Sequence, residues 1–371
     1  MMQINKYLNM IGAKLQLPKE KFEELNKNYK AISSYIANNH ELADDEEYSI
    51  YQQGSFAIDT AIKPLKGDDF DVDVVVEFDI KKKEVGPLEF YNKLYKTFKE
   101  GRYGDIVEEY RNNIRINYNS NYHFDIMPAI PLSYNSNSLN VPDKKKRDWV
   151  IRSPKLYKEW FLVQSRKISQ VNKGIKISIK DNQFFIERDI APLNKPKDYE
   201  LKPTLNRVVQ LIKRARDIYF YHEEENIPQS IVLTTLSAQF YDGEMSLIDA
   251  LINIATKMFD LAEKHSQFDV FNPACANGKE NFTEKWKHKT KYYENFSAFS
   301  RWFLNEIKGL KRSETVKKSL INLFGESLFN DVYEETRDDF FWKDFEENIT
   351  KTNVFPNAPI RIEKKERGNA W

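Results

Sequence analysis

The chain has 371 residues, with 57 Lys and Arg against 56 Asp and Glu, 41% hydrophobic residues, and 25 Phe, 20 Tyr and 6 Trp. That apolar and aromatic content excludes wholesale disorder, and a formal charge of +1 argues against a protein that coats nucleic acid through bulk electrostatics while leaving room for a local basic cleft. At roughly 100–200 residues per domain, the length points to two packed units or one large bilobal domain. The single Cys275 excludes an intramolecular disulfide and a Cys-based zinc cluster, which makes a reducing, cytoplasmic setting the default. No stretch approaches the roughly 18 consecutive apolar residues of a membrane span, and the opening MMQINKYLNM lacks a signal-peptide core.

In chain order, residues 19–39 read as a long amphipathic helix, with Phe22, Leu25, Tyr29, Ile32 and Ile36 at three- and four-residue spacing after Pro18. An acidic stretch, Glu41–Glu47, ends that pattern. A short strand, Tyr48–Gln52, leads into a turn at Gly54-Ser55. Residues 70–78, FDVDVVVEF, alternate at first and then run continuously apolar, as in a strand with a polar mouth and a buried end. A helix over 87–100 follows, then strands Arg115–Tyr118 and Tyr122–Ile126 bridged by Asn119-Ser120-Asn121 as a hairpin. Ser136–Arg152, with Lys144-Lys145-Lys146-Arg147, reads as a polar, basic surface loop. Pro192, Pro196 and Pro203 mark a hinge over 192–203. Beyond it helices are expected over 204–222, 229–241, 245–264, 279–308 and 313–324, and residues 357–371 carry little periodicity.

Three features could carry chemistry. In QGSFAIDT, residues 53–60, Gly54 permits a tight turn and Ser55 offers a hydroxyl, so free N–H groups there could hold a phosphate. Taken alone, an ordinary turn explains the pair as well. Asp71 and Asp73, two apart on a strand, point to one face and repel each other unless a cation neutralises them; hard oxygens facing a cleft suit Mg²⁺. Because Val74-Val75-Val76 carry the strand into a core, acids at its mouth are costly. Asp125 lies in a third segment, YHFDIMPAIP, where an unpaired carboxylate would be expensive to desolvate. If the two strands are neighbours, three carboxylates converge, a geometry that can hold two metal ions about 3.5–4 Å apart for in-line displacement at phosphorus.

Gly54-Ser55, then Asp71 and Asp73, then Asp125 form the signature of the polymerase-β-like nucleotidyltransferase superfamily. More narrowly, the chain resembles the DncV-like bacterial cyclic-oligonucleotide synthases related to cyclic GMP–AMP synthase. The strings that carry the resemblance are QGSFAIDTAIKP, FDVDVVVEF, FDIMPAIP, WVIRSPKLYKEWF (149–161), LNRVVQLIKRARD (205–217) and NPACANGKENFTEKW (272–286), and they span about residues 20–305.

The resemblance implies an α+β, bilobal fold: a nucleotidyltransferase core lobe over 1–195 with a mixed sheet and the long N-terminal helix, and a helical lobe over 196–356 closing the nucleotide cleft; the want of periodicity over 357–371 predicts a flexible tail there. It implies template-independent transfer of a nucleotidyl group from a ribonucleoside triphosphate (ATP, and also GTP or a pyrimidine nucleotide) to a ribose hydroxyl. Two Mg²⁺ ions, for which Mn²⁺ can substitute, would assist. Asp71 and Asp73 would bind both metals. Asp125 would bind the catalytic metal and help deprotonate the acceptor. Gly54 and Ser55 would hold the triphosphate. The product would be a cyclic di- or trinucleotide second messenger, with antiphage signalling as its context. Independently, the tail ending Gly368-Asn369-Ala370-Trp371 could dock a regulatory protein partner, although an unimportant tail explains it as well. Relatives place a phosphate-contacting Lys on the helix over 204–222 and a Ser at the start of the next, positions that Lys213 and Ser230 match. Ile231 stands where some relatives have a base-stacking aromatic, so base selection stays open.

Two other readings compete. A transferase adding nucleotides to RNA, a protein or a small molecule would share the chemistry, although the near-zero charge weighs against an RNA track. A non-catalytic nucleotide sensor would be expected to have lost acids that are all present here. His265, Cys275 and His288 are too widely spaced for a zinc site. His123 reads as a packed or partly exposed side chain, Trp286 and Trp302 as packing residues, and the Lys144–Arg147 run as a solvated loop or a contact for nucleic acid or a partner.

Overall fold

The computed structural model describes residues 2–39, 47–65, 69–118, 122–133, 136–168, 189–195, 197–223, 225–275 and 280–337. The expected tail over 357–371, the hairpin tip Asn119–Asn121, most of the acidic stretch Glu41–Glu47 and hinge residue Pro196 therefore lie outside the described residues. No described helix is long and apolar enough to cross a membrane.

Helix α1 (Met2–Lys14) precedes α2 (Lys19–Asn39); β1 (Tyr48–Gln52), the single-turn α3 (Gly54–Ala57), β2 (Phe70–Phe78) and α4 (Pro87–Lys99) follow. Next come β3 (Val107–Glu109), β4 (Ile114–Tyr118), β5 (Tyr122–Pro131), β6 (Leu139–Asp143), β7 (Asp148–Arg152), α5 (Pro154–Ser165) and β8 (Asp189–Ile190). A 3-10 turn at Tyr199–Leu201 then leads into α6 (Thr204–Tyr219), α7 (Ser230–Phe240), α8 (Leu247–Lys264), α9 (Lys291–Gly309), α10 (Val316–Phe324) and α11 (Glu326–Thr336).

The strands form a mixed sheet in the order β3-β4-β5-β2-β1-β8, with β6 paired to the far end of β5 and β7 to β6. The centre is the parallel pair β2 and β5; β1 and β4 flank it antiparallel. Strand alternation divides the side chains. Phe70, Val72, Val74, Val76 and Phe78 of β2 join Phe124 and Ile126 of β5 in a core against α2 and α4. Val75 and Met127, on the opposite face, are covered by Leu139 and Val141 of β6 in a smaller core. The continuous apolar run of β2 is thus explained by a sheet buried on both faces at that end, which leaves its other end open on one side.

The helices from α6 onward build a second large core, entered by Ile4, Tyr7, Leu8 and Ile11 of α1 and by Tyr157 and Phe161 of α5. Trp286, fully buried there, stacks on Tyr292 at 5.7 Å and meets Tyr293 edge-on; Trp302 packs at 4.7 Å from Tyr219. Both tryptophans therefore pack against aromatic neighbours, as the sequence suggested.

Several elements depart from the sequence reading. Ser136–Arg152 is not simply a surface loop: it contains the β6–β7 hairpin. Asp143 is buried, receives the Arg111 Nε–H at 2.8 Å and the backbone N–H groups of Lys145 and Lys146 at 3.0 Å, and so fixes the turn. Burial alone would raise the Asp143 carboxyl, but those bonds and the Arg111 charge hold it below the usual range. Within the basic run Lys144 pairs with Glu109, and Lys146 reaches Glu284 at 3.0 Å. The helix expected over 279–308 begins only at Lys291, after a 3-10 segment at Glu284–His288. Helices α1 and α11 were not anticipated.

Candidate active site

Because β2 and β5 run parallel in register, Asp71 stands beside His123 and Asp73 beside Asp125. All four side chains project from the face opposite the α2 and α4 core, at the end of the sheet that β6 and β7 leave uncovered. Asp71 is open to the cleft, with its side chain 62% exposed, and the His123 Nε2 lies 2.6 Å from its Oδ1. Burial pushes the Asp71 carboxyl up, yet contact with His123 and the charges of Arg115 and Arg216 outweigh it and hold the group below its ordinary value. Among the described residues, Asp73 has no such ion-pair partner. Burial first, then the neighbouring Asp125 and Asp71, push it up to about 7, against the opposing pull of Lys213 and His123.

The Gly54 backbone approaches this centre closely. Its φ of +61° lies in the left-handed region, and a Cβ there would fall 2.1 Å from Asp73 Oδ2. The Gln53 N–H donates to the Asp73 carbonyl at 2.9 Å, which pins the end of β1 alongside the acid. Glycine is thus required both for the turn into α3 and for the approach to the carboxylate.

From the helical side, α6 supplies Lys213, which is buried and donates from Nζ to the Thr60 carbonyl and hydroxyl at 3.1 Å each. Burial and then the nearby Arg216 lower its ammonium to about 8, against the pull of Asp217 and Asp73. Ser230 opens α7, and its hydroxyl accepts a hydrogen bond from Arg216. Gly54, Ser55, Asp71, Asp73, Lys213 and Ser230 line one cleft of about 250 Å³. Six of the seven residues proposed from sequence therefore meet at one place.

The seventh, Asp125, does not line that cavity. Its carboxylate is held in a bidentate pair by Arg115, Nε to Oδ1 at 2.8 Å and Nη2 to Oδ2 at 2.9 Å. Arg115 was missed in the sequence, although the strand register carries the signal: positions 115 and 125 face each other across β4 and β5. His123 was undervalued; it is buried between two carboxylates, 3.9 Å from Asp125 Oδ2. Arg216 was seen only as part of a polar helix face. It lies where the cavities of the cleft meet, bound to Asp217 through Nε at 2.8 Å.

Among the described residues, no three His, Cys, Asp or Glu side chains already form a closed set around a point that could hold a metal ion. The donor chemistry nevertheless fits divalent cations. Three carboxylates face one another across a strand pair, and Asp73 is driven toward protonation by burial and then by the other two, a repulsion that a hard dication removes.

Acids in register at the mouth of a mixed sheet, beside a Gly-Ser turn and a Lys-bearing helix, define a nucleotidyltransferase. The profile of the Second Messenger Oligonucleotide or Dinucleotide Synthetase domain matches residues 2–164. A c-di-GMP synthase of Roseivirga ehrenbergii is 30% identical over 336 residues, covering 89% of this chain and 85% of the relative. The chain belongs to the bacterial cyclic-oligonucleotide synthases related to cyclic GMP–AMP synthase, enzymes that join nucleotides without a template. Solved structures share the fold. CdnG of Bradyrhizobium diazoefficiens, in complex with GTP, superposes with a TM-score of 0.71 at 21% identity over 91% of this chain and 100% of that one. CdnC of E. coli with ATP gives 0.62 at 14% identity, over 87% and 98%.

Proposed function

We propose that the enzyme makes a cyclic dinucleotide from ribonucleoside triphosphates, GTP among them, with Asp71, Asp73 and Asp125 as its catalytic carboxylates. The observation that carries this is the convergence of Gly54, Ser55, Asp71, Asp73, Lys213 and Ser230 on one cleft. Guanine use is supported by the c-di-GMP synthase relative and by CdnG, whose structure holds GTP.

Asp71, Asp73 and, for one of them, Asp125 would hold two Mg²⁺ ions, which would supply Lewis-acid charge for the attack of the hydroxyl and the departure of pyrophosphate. Gly54 and Ser55 bind the triphosphate through the turn into α3. Lys213 and Arg216 add positive charge from α6, where Arg216 gives a planar fork of donors and Lys213 a point charge. Ser230 adds a hydroxyl. His123 orients Asp71, and Arg115 orients Asp125, the carboxylate nearest to where the acceptor hydroxyl loses its proton. Incubating the protein with Mg²⁺ and all four labelled ribonucleotides tests the reading: phosphatase-resistant cyclic dinucleotide identified by mass spectrometry supports it, and linear polymer or RNA labelling overturns it. By analogy with CdnC, whose structure with a HORMA protein is known, a regulatory protein partner and an antiphage setting are the context we propose.

The Lys213 ammonium gives this site a pH dependence. Below about pH 8 the amine is charged and attracts phosphate; above it, binding requires proton uptake. The dissociation constant of tripolyphosphate is expected to rise above pH 8 at a slope approaching about tenfold per pH unit. Lys213→Ala should bind more weakly at pH 7 and lose the slope, which calorimetry from pH 7 to 9.5 checks.

A further inference from the structure

We propose that Tyr110 is a stacking platform for a nucleobase, a role that rests on the reading of this cleft as a synthase active site. Beside the phosphate-sized cavity lies a wider cleft of about 810 Å³, which shares Asp71, Asp73, Arg216 and Ser230 with it. A nucleotide with its phosphates at Lys213 and Gly54 extends into that wider space. Ile231, after Ser230, lines the cleft with an aliphatic side chain and offers no stacking surface. Two aromatic side chains line the wider cleft, Tyr110 and Phe282. Phe282 is packed into the helical core, edge-on to Tyr157 at 5.7 Å. Tyr110, immediately after β3, remains 40% exposed.

Its backbone is anchored and its ring is backed by a cation. The Tyr110 N–H donates to the Asn113 carbonyl at 3.0 Å and its carbonyl accepts from the Tyr91 hydroxyl at 3.0 Å. The guanidinium of Arg115 lies over one ring face at 4.4 Å from the centroid, and the same guanidinium grips Asp125. The ring therefore stands one residue away from the third carboxylate, held on one side and open on the cleft. A preset aromatic loses little freedom when a base covers it. Base-on-aromatic stacking tolerates any base, which leaves discrimination to polar groups at its edge.

The test is calorimetric binding of the α,β-methylene analogues of GTP and ATP, and of tripolyphosphate as a probe without a base. Wild type, Tyr110→Ala and Tyr110→Phe are compared, each checked for native circular dichroism. Tyr110→Ala is expected to weaken an analogue roughly tenfold or more, within the range for loss of one base stack. Tyr110→Phe should stay within about threefold of wild type, and tripolyphosphate should bind all three proteins alike. Unchanged analogue binding in Tyr110→Ala overturns the proposal, as does failure of Phe to rescue or an equal loss for tripolyphosphate. Because the probes are not turned over, this result is independent of the product assay. Failure of the synthase reading would show there, in wild type.

Discussion

Asp73→Asn is expected to lower the rate of nucleotide joining at least a thousandfold while leaving the protein more stable in the absence of divalent metal. A thousandfold loss corresponds to about 4 kcal/mol of barrier, reasonable for a central carboxylate proposed to hold both cations. The stability gain follows from the same crowding. The Asp73 carboxyl is raised from its ordinary value to about 7 by burial and by Asp125 and Asp71. A carboxyl with a raised folded-state pKa favours the fold fully only below its unfolded value near 4, and that contribution is lost as pH rises through about 7. Above pH 7 the charged Asp73 therefore opposes folding, and the isosteric amide removes the opposition. Thermal unfolding at pH 8 in chelator should show a higher midpoint for the variant, and the advantage should vanish near pH 4. An inactive variant that is also less stable at pH 8 would contradict this account.

Gly54→Ala is expected to cost about a hundredfold in activity and to destabilise the fold. Two effects combine. A side chain at φ +61° costs roughly 1–2 kcal/mol of backbone strain. The new methyl would also fall 2.1 Å from Asp73 Oδ2, so the carboxylate has to move. A displacement near 1 Å at a reacting centre is enough for about two orders of magnitude. The two effects separate in the Asp73→Ala background, where the carboxylate is gone. There Gly54→Ala should retain only the backbone cost, and a double-mutant cycle of unfolding free energies measures the difference. An unchanged cost in that background would mean that the approach to Asp73 is unimportant.

Much of the sheet and the acidic centre was legible because strand periodicity is a short-range signal. The step of two between Asp71 and Asp73 places both on one face whatever the rest of the chain does. What the sequence concealed were relations between strands. Arg115 reads as a routine charged strand residue until the hairpin register sets it opposite Asp125. The β6–β7 hairpin was hidden because Pro142 and the lysine run interrupt its apolar pattern, and because Asp143 is buried only through Arg111 and two backbone N–H groups. Helix α1 carried its own signal, Ile4, Tyr7, Leu8 and Ile11 at helical spacing. Helix α9 starts late because the segment before it spends its apolar residues on a 3-10 turn that buries Trp286.

The placement of α1 has a consequence for biosynthesis. This first helix packs its apolar stripe among helices α6, α8 and α11, and Lys14 pairs with Glu335, more than 300 positions further along the chain. Most of the sheet can assemble from residues that emerge early, because β2 to β6 find their strand partners before residue 153, and β1 adds β8 at Asp189–Ile190 soon after. Helix α1 cannot complete its burial until almost the whole described chain has left the ribosome. Contacts of such long sequence separation close late and slowly. During translation, then, this amphipathic segment has to wait for its partners, and its docking completes the helical core.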